Sequence, residues 1–326
     1  MPFAQAASVG EEQRSRGNIF TVSIVGDNAE HKLMSISGLQ RVINEIEHTE
    51  SDRIDYIRLP GHMNVENVTF RDIPLAAFQD AAPNFLFELV VDGKTVGHVR
   101  RITGLGVRWD IITNNESNNI NTQKLWGKRR YNTFTTEVVV EWSEKWQLWE
   151  FAKLLGIHEG PGNAFSTVGS FSGEFRKDVR IHLLDQQGND LGAWFIHGGW
   201  ARVWVPHSDL SADSTTVGTM SIEWAIANLP GQPGLEETLM QKLGKEHQVS
   251  QAWYEWVAKA YDVPERRHLI INIYQPGQVI GKDEPVGRLK LFNCWVAEIN
   301  YQDFDATADD ILTRDVVVAC DGIVPL

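Results

Sequence analysis

Residues 191–200 read LGAWFIHGGW, and residues 286–295 read VGRLKLFNCW. The two stretches align without a gap and share two identical pairs, Gly192 with Gly287 and Trp200 with Trp295. After a slip of one position, the agreement continues through residues 209–222, which align with residues 303–316. A match that extends from strand-like stretches into the segments after them predicts two copies of one β unit.

A second internal match lies in the first part of the chain, between residues 20–70 and residues 86–136. It holds in one register without a gap. The superposed motifs are ISGL at 36–39 on ITGL at 102–105, LPG at 59–61 on LWG at 125–127, and Thr69 on Thr135. Because the shared residues are turn glycines and apolar core positions, these segments are predicted to be two copies of an opening half, and the first pair two copies of a closing half.

The four half-units follow one another as opening, opening, closing, closing, whereas a tandem duplication would alternate them. Nesting explains this order. Residues 84–230 are then a complete domain inserted into another, which is built from residues 19–80 and 236–326. A swapped arrangement, in which residues 19–80 close with residues 170–230, stays open as an alternative. Residues 1–18 are polar and small, and we expect them to form a flexible N-terminal arm.

Short apolar stretches with strand-like alternation dominate the chain from residue 19 onward. Only two segments carry helical spacing, residues 144–155 and residues 236–261. Each helical segment precedes one of the closing halves. The sequence therefore predicts a mainly β protein with two related β-sandwich or barrel domains, each with one accessory helix.

The composition excludes several classes of protein. The chain has 326 residues and a formal net charge of −13, which disfavours electrostatic capture of nucleic acid or of an anionic membrane. No apolar run approaches the roughly 20 residues that a membrane-spanning helix needs, and the N-terminus lacks a signal-peptide pattern. The 2 cysteines cannot build a disulfide framework. We therefore expect a soluble intracellular protein without membrane insertion.

An ordered set of motifs runs through residues 19–322. In the opening half the motifs are Ser37-Gly38-Leu39, Leu59-Pro60-Gly61 and Asn67-Val68-Thr69. In the closing half they are a Trp-bearing helix at 146–155 or 253–261, LLDQQG at 183–188, and the segments 194–200, 209–214 and 219–225. In this order they resemble the tail tube family of contractile phages and the inner-tube proteins of related injection systems. The chain departs from that family in having two domains, and its inner copy has Leu125-Trp126-Gly127 in place of Leu-Pro-Gly.

The resemblance implies a structural tail tube protein without enzyme activity. Since family members form hexameric rings, two tail-tube-like domains per chain imply a homotrimer, a pseudo-hexameric ring that stacks into a channel for genome or effector delivery. It also implies sheath, tape measure and baseplate proteins as partners, DNA that passes without specific binding, and a place in the virion tail after synthesis in the host cytoplasm. A baseplate hub or tube-initiator ring is an alternative, and a glycan-binding β-sandwich is an alternative from another class.

No group of residues predicts a catalytic, cofactor-binding or metal site. His182 and His197 lie in predicted strands, without the spacing to acidic residues that a metal site shows. The acidic residues 303–310 lack the glycine and the final glutamate of a calcium loop. The glycine-rich segment 160–173 lacks the Lys-Ser/Thr ending of a phosphate-binding loop. We therefore expect neither a cofactor nor an enzymatic reaction.

Several features point to contacts between proteins instead. Residues 40–58 and 106–124 are polar excursions at equivalent places, interpreted as an inter-ring contact or as long solvated hairpins. A basic cluster is predicted to lie at a subunit interface or on a solvated rim rather than on DNA: Lys124, Lys128, Arg129 and Arg130. The 12 tryptophans are predicted to pack mainly in the two cores, with Trp126 and Trp204 as the exposed exceptions.

Overall fold

The computed structural model describes residues 18–48 (without 28), 57–72, 86–115, 121–139, 176–226 (without 185–187 and 206–218) and 250–326 (without 303 and 306–312). Nearly all of the predicted N-terminal arm, the helix predicted at residues 144–155 and the glycine-rich segment 160–173 lie outside the described residues. Within them the protein is mainly β with one α-helix, so the predicted fold class is confirmed.

The strands are numbered in chain order. They are β1 (Ile19–Ile24), β2 (His31–Leu33), β3 (Ser35–Ser37), β4 (Arg41–His48), β5 (Ile57–Val65), β6 (Val68–Asp72), β7 (Leu86–Val91), β8 (Lys94–Thr103), β9 (Gly106–Asn114), β10 (Gln123–Tyr131), β11 (Phe134–Val139), β12 (Lys177–Leu184), β13 (Asp190–Val205), β14 (Thr219–Ala225), β15 (Arg267–Tyr274), β16 (Gly287–Tyr301), β17 (Phe304–Asp305), β18 (Arg314–Ala319) and β19 (Gly322–Pro325). Helix α1 spans Gln251–Ala258 and continues as a 3-10 turn over Lys259–Tyr261.

The first sheet joins the beginning of the chain to its end. Its order is β2-β1-β15-β16-β18-β6-β3, and every pairing is antiparallel. The two ends of this order, β2 and β3, are separated only by Met34, so the sheet closes on itself. Strand β19 pairs with the first half of β16, and β9 pairs with its second half. The closed order satisfies the strand edges that an open sheet would expose.

The second sheet is built from the middle of the chain. Its order is β11-β14-β13-β12-β7-β8, and β11 also pairs with β8, so that this sheet closes as well. Strands β7 and β8 meet at the turn that the sequence Asp92-Gly93 predicts, with φ of 48° and 77° at the two residues. The short strand β17, from the C-terminal segment, pairs with β8 beside this closed order.

The same pairing registers occur in both sheets. Trp295 of β16 lies opposite Ala319, and Trp200 of β13 lies opposite Ala225. In each of these two ladders the next pair is followed by a bulge, between Val296 and Glu298 in β16 and between Ala201 and Val203 in β13. The strand pairing therefore agrees with the sequence alignment of the two closing halves.

The hairpins of the two opening halves correspond in the same way. Strand β4 pairs with β5, and β9 pairs with β10. Ile43 lies opposite Met63 in the one hairpin, and Trp109 lies opposite Arg129 in the other. These are equivalent positions in the alignment of residues 20–70 with residues 86–136, so the two hairpins share one register.

Two glycine turns show the same correspondence. Gly38 follows β3 and Gly104 follows β8, and both have a φ of +80°. A Cβ atom at Gly104 would lie 2.7 Å from the carbonyl oxygen of Thr133, and one at Gly38 would overlap the carbonyl oxygen of Asn67. Both the backbone conformation and the space therefore require glycine.

Helix α1 covers the first sheet. The hydroxyl of Ser250 accepts a hydrogen bond of 3.1 Å from the backbone N–H of Trp253 and so caps the helix. Trp253 and Trp256 are buried, as their helical spacing predicts. The cores of both sheets form one continuous apolar cluster, which these two tryptophans join.

A buried ion pair lies beneath the helix. The guanidinium of Arg314 on β18 donates two hydrogen bonds to the Asp72 carboxylate on β6, at 3.0 and 2.7 Å. The indole N–H of Trp253 donates to the same carboxylate at 2.9 Å. Both partners of the ion pair are fully buried. At the equivalent rung of the second sheet, Val138 lies opposite Met220, so that sheet has an apolar pair there.

Candidate assembly interface

The hairpin β9–β10 docks on the first sheet, and we call it the docked hairpin. Three residues of β9 lie opposite three of β16: Gly106 opposite Asn300, Val107 opposite Ile299, and Arg108 opposite Glu298. The backbone N–H of Tyr301 adds a hydrogen bond of 3.0 Å to the carbonyl oxygen of Leu105. A Cβ atom at Gly106 would lie 2.7 Å from the carbonyl oxygen of Ile299, so the close approach depends on this glycine.

An apolar patch lies under the docked hairpin. Trp109, Ile111 and Trp126 of the hairpin pack against three buried residues of the first sheet, Trp295, Ala297 and Ala319. The rings of Trp126 and Trp295 meet edge to face, with centroids 5.8 Å apart. The indole N–H of Trp295 donates to the carbonyl oxygen of Lys124 at 3.1 Å. The hairpin thus removes Trp295 from water and satisfies its only side-chain donor.

The end of the helical segment holds the hairpin from another side. The indole N–H of Trp109 donates to the carbonyl oxygen of Ala260 at 2.8 Å. The guanidinium of Arg129 donates to the carbonyl oxygen of Tyr261 and lies 5.8 Å from the centre of the Trp109 ring. Both carbonyls belong to the 3-10 turn after α1. The hairpin therefore bridges the first sheet and the end of the helical segment.

The predicted basic cluster divides between buried contacts and the surface. Lys124 is buried, and its ammonium donates to the carbonyl oxygen of Val65 and, at 2.9 Å, to the Asn67 side chain. Burial lowers the pKa of Lys124, although the negative potential of Cys320, Asp321 and Glu66 partly offsets it. Lys128 and Arg130 are exposed. Lys124 and Arg129 therefore contact other parts of the chain, and Arg130 pairs with Asp110 within the docked hairpin at 2.9 Å.

The hairpin β4–β5, which we call the first hairpin, has a different environment. It forms a two-stranded sheet of its own. An isolated bridge pairs its Met63 with Asn121, and its Val65 accepts the hydrogen bond from Lys124. Ile43 is 51% exposed. Ile43 stands where the docked hairpin has Trp109. The face that is covered in one hairpin is therefore open in the other.

The matching surface on the second sheet is also open. We call it the β13 face, and it consists of Trp200, Arg202, Val203 and Val205. Trp200 is 38% exposed and Val203 is 44% exposed, whereas the equivalent Trp295 is fully buried. The prediction that Trp200 packs in a core is therefore wrong, because no described segment covers it as the docked hairpin covers Trp295. Trp126 and Trp204, the predicted exceptions, are half-buried instead.

The polar excursions predicted at residues 40–58 and 106–124 correspond to these two hairpins, apart from residues 49–56 and 116–120, which lie outside the described residues. The interpretation of residues 106–124 as a solvated hairpin is wrong, because the docked hairpin packs on the first sheet. The signal that sequence reasoning missed is the alternation of apolar residues in Trp109, Ile111 and Trp126, which marks a covered face.

His182 and His197 lie in strands, as predicted, and each contacts an acidic side chain. His182 Nδ1 lies 3.0 Å from the carboxylate of Asp190, and His197 Nδ1 lies 3.0 Å from that of Asp178. The described part of the chain contains no group of three or more His, Cys, Asp or Glu side chains that could hold a metal ion. Of residues 303–310, only 304 and 305 are described, as β17. No helix among the described residues is long and apolar enough to cross a membrane.

Comparisons with known proteins give one family match and several similar solved structures. Residues 83–230 match the family model of the T4-like virus tail tube protein gp19. A chain of the anti-feeding prophage cap, which terminates its tube, is 18% identical with a TM-score of 0.32, covering 43% of this chain and 83% of that one. A chain of the PVC sheath–tube complex, an extracellular contractile injection system in the extended state, is 17% identical with a TM-score of 0.33, covering 45% and 88%. Hcp1 from Flavobacterium johnsoniae is 16% identical with a TM-score of 0.24, covering 43% and 89%. No curated protein matches the sequence.

Proposed function

We propose that this chain, whose residues 83–230 match the family model of the T4-like virus tail tube protein gp19, is a tail tube protein that forms homotrimeric rings, and that these rings stack into a delivery tube. Each ring holds six related units, two from each chain, in pseudo-hexameric order. One observation carries the proposal: each unit has a hairpin of the same register, and only one of the two hairpins is docked among the described residues. A chain with one satisfied and one open contact of the same kind is suited to assembly with its own copies.

The proposal includes the nested division of the chain into residues 19–80 with 236–326 and residues 84–230. Strand pairing supports it. The pairs β1–β15 and β6–β18 link the first segment to the last, and the pairs β7–β12 and β11–β14 stay within the middle segment. Across the two units run only the pairs β9–β16 and β17–β8 among the described strands. This pattern favours nesting over the swapped arrangement.

The geometry of the contact is compatible with a closed ring. The docked hairpin of the second unit binds the first unit, which is a head-to-tail contact. Repetition of a head-to-tail contact closes a ring or propagates a filament. Six units around a pseudo-sixfold axis close with three chains, so the second contact of each chain joins it to its neighbour.

The role we propose for the tube is passive. A net charge of −13 is compatible with a predominantly acidic channel, through which DNA or an effector passes without the Lys and Arg contacts that would slow its release. Sheath, tape measure and baseplate proteins are its proposed partners, and we propose the particle's tail as its location, after assembly in the host cytoplasm. We propose no catalytic activity, because the family model that residues 83–230 match describes a tail tube protein.

Electron microscopy of the purified chain tests the proposal. We expect stacked rings of three chains, with a central channel and sixfold pseudo-symmetry in projection. Sedimentation at the same protein concentration should give a mass that is a multiple of three chains. Single rings that do not stack would instead favour the hub or tube-initiator alternative. A compact monomer at all concentrations would contradict the proposal, and tryptophan fluorescence quenched by oligosaccharides would then favour the glycan-binding alternative.

A further inference from the structure

We propose that the first hairpin of one copy docks on the β13 face of the next copy, in the geometry that the docked hairpin adopts on β16. The inference rests on the proposed function, since it names the partner surfaces of the ring contact. Its occupant is a second copy of this chain. The chain itself supplies the template, because the same contact is already made once between its own two units.

One edge of β13 is available for strand pairing at the place where β9 pairs with β16. The first half of β13 pairs with β12, and its second half, from Trp200 to Val205, pairs with β14. On β16 the corresponding half pairs with β18 on one side and with β9 on the other. In the alignment of the closing halves, the rungs of β9 at 298–300 correspond to 203–205. Among the described strands, none pairs with β13 at 203–205 on the side where β9 pairs with β16.

Where the residues of the proposed contact differ in type from those of the docked hairpin and β16, both partners of a pair differ together. Inside the chain, Arg108 lies opposite Glu298. The equivalent residues are Val42 on the first hairpin and Val203 on β13, so one pair of opposite charges corresponds to one apolar pair. Two valines directly opposite each other suit an antiparallel ladder. A change at both sides together is what a shared interface requires.

A second pair changes in the reverse direction. Ile111 of the docked hairpin packs on the patch that contains Ala297. Their equivalents are Glu45 and Arg202, so here an apolar pair corresponds to two opposite charges. Both side chains are exposed, and Arg202 now lies 2.9 Å from Glu223. The two exchanges together preserve complementarity while they distinguish the contact between copies from the contact inside the chain.

Two further groups of the template have counterparts on the second unit. Trp295 donates its indole N–H to the carbonyl of Lys124, and the exposed Trp200 has the same place on β13. Arg266 donates to that same carbonyl and lies 5.6 Å from the ring of Trp126. Arg266 directly precedes β15, and the residue that directly precedes the equivalent β12 is Arg176, which is exposed. The second unit therefore keeps the indole and the guanidinium that hold a hairpin.

The contact between copies ends earlier than its template. Tyr301 donates its backbone N–H to Leu105, whereas the residue at its equivalent position is Pro206, which has no N–H. Gly106, which approaches β16 closely, corresponds to Gln40. We therefore expect the ladder between copies to hold at Val203 and Trp204 and to separate beyond Val205.

Disulfide trapping tests the register directly. In the variant Val42→Cys/Val203→Cys, paired residues of an antiparallel ladder place their Cα atoms about 4.5–5.5 Å apart, within the range of a disulfide. Oxidation of assembled protein should convert the majority of the chain into a covalent trimer on a non-reducing gel. The native Cys294 and Cys320 are fully buried, which keeps them out of the reaction.

Two matched variants serve as controls. Arg108→Cys/Glu298→Cys should form its disulfide within one chain and give no covalent oligomer. Val42→Cys/Val279→Cys uses an exposed valine on a distant turn and should give no covalent trimer. As a second measurement without cysteines, Glu45→Arg and Arg202→Glu should each weaken assembly severalfold, and the double variant should restore it.

The outcomes separate this inference from the proposed function. Rings in the electron microscope without a Val42–Val203 crosslink would overturn the inference and leave the ring intact. A crosslinked ladder beyond the trimer would support the contact but contradict the closed ring. A chain that stays monomeric would overturn both. Capture of another protein at the β13 face in place of a second copy, with no crosslink, would also overturn the inference.

Discussion

Asp72→Asn is expected to lower the free energy of unfolding by about 3–5 kcal/mol, because it leaves Arg314 charged and fully buried without its counterion. The substitution preserves the shape of the side chain, so the loss reports the charge rather than a cavity. The indole N–H of Trp253 also loses a charged acceptor. Chemical denaturation followed by tryptophan fluorescence, at one protein concentration for all variants, measures the change.

An adjacent rung of the same two strands provides the control. Arg71 of β6 donates to Asp315 of β18 at 2.8 and 3.1 Å, but its side chain is 41% exposed. Asp315→Asn removes the same kind of ion pair in contact with water and should lower the free energy of unfolding by about 1 kcal/mol or less. Equal losses for Asp72→Asn and Asp315→Asn would contradict the importance of burial at this pair.

The second sheet suggests a second substitution that would recover part of the stability lost when Asp72 is replaced. Val138 lies opposite Met220 at the rung equivalent to Asp72 and Arg314. A buried ion pair replaced as a whole by an apolar pair often loses little stability. We therefore expect Asp72→Val/Arg314→Met to be more stable than Asp72→Val alone, although still below the natural protein because Trp253 loses its acceptor.

The same pair predicts the effect of acid. Burial alone would raise the pKa of Asp72, but the Arg314 charge with its hydrogen bonds, together with the ring of His31 3.3 Å away, outweighs it and holds this pKa well below its ordinary value. A carboxylate with a lowered pKa in the folded state stabilises fully above its unfolded pKa, near 4, and loses that contribution as the pH falls further. The difference in stability between the natural protein and Asp72→Asn should therefore shrink below about pH 4.

Gly38→Ala is the second substitution with a large expected effect. The φ of +80° disfavours any side chain by about 1–2 kcal/mol, and the added Cβ atom would overlap the carbonyl oxygen of Asn67. Because that oxygen belongs to the backbone, relief requires a shift of the turn before β6. We expect a loss of about 3 kcal/mol or more in the free energy of unfolding, measured by the same denaturation assay.

Gly93→Ala separates the two causes. Gly93 has a φ of +77°, close to that of Gly38, but nothing lies within 4 Å of the place where its Cβ atom would be. It should lose only the conformational part, about 1–2 kcal/mol. If Gly38→Ala is no worse than Gly93→Ala, the steric argument at Gly38 is wrong.

The strands of the closed sheets were predictable because their side chains alternate between core and surface. Two of the short apolar stretches are residues 269–273, which lie in β15, and residues 179–183, which lie in β12. The stripe of Trp253 and Trp256 predicted α1 in the same way. In each case a period of two or of 3.6 residues was visible in the sequence, because one side of the element faces an apolar core.

Which of the two hairpins is docked on a sheet, and therefore which tryptophan is covered, could not be predicted in this way. Trp200 and Trp295 are the same residue at the same register, but one is exposed and the other buried. The difference comes from a neighbour, the docked hairpin, which covers only Trp295. The Asp72–Arg314 pair was equally hidden, because its members lie far apart in the chain and only strand pairing brings them together.

The pairing of the first segment with the last also sets an order for folding during synthesis. Ile19 lies opposite Tyr274, so most of the chain is made between the two partners. At about 5–20 residues per second, β1 therefore waits for tens of seconds on the ribosome before its partner emerges. The described strands of the middle segment are complete by Ala225, so this segment can collapse first, while the apolar side chains of the N-terminal strands stay exposed. We expect newly made chains to be most prone to aggregation in this interval, and truncation before β15 to yield an insoluble product.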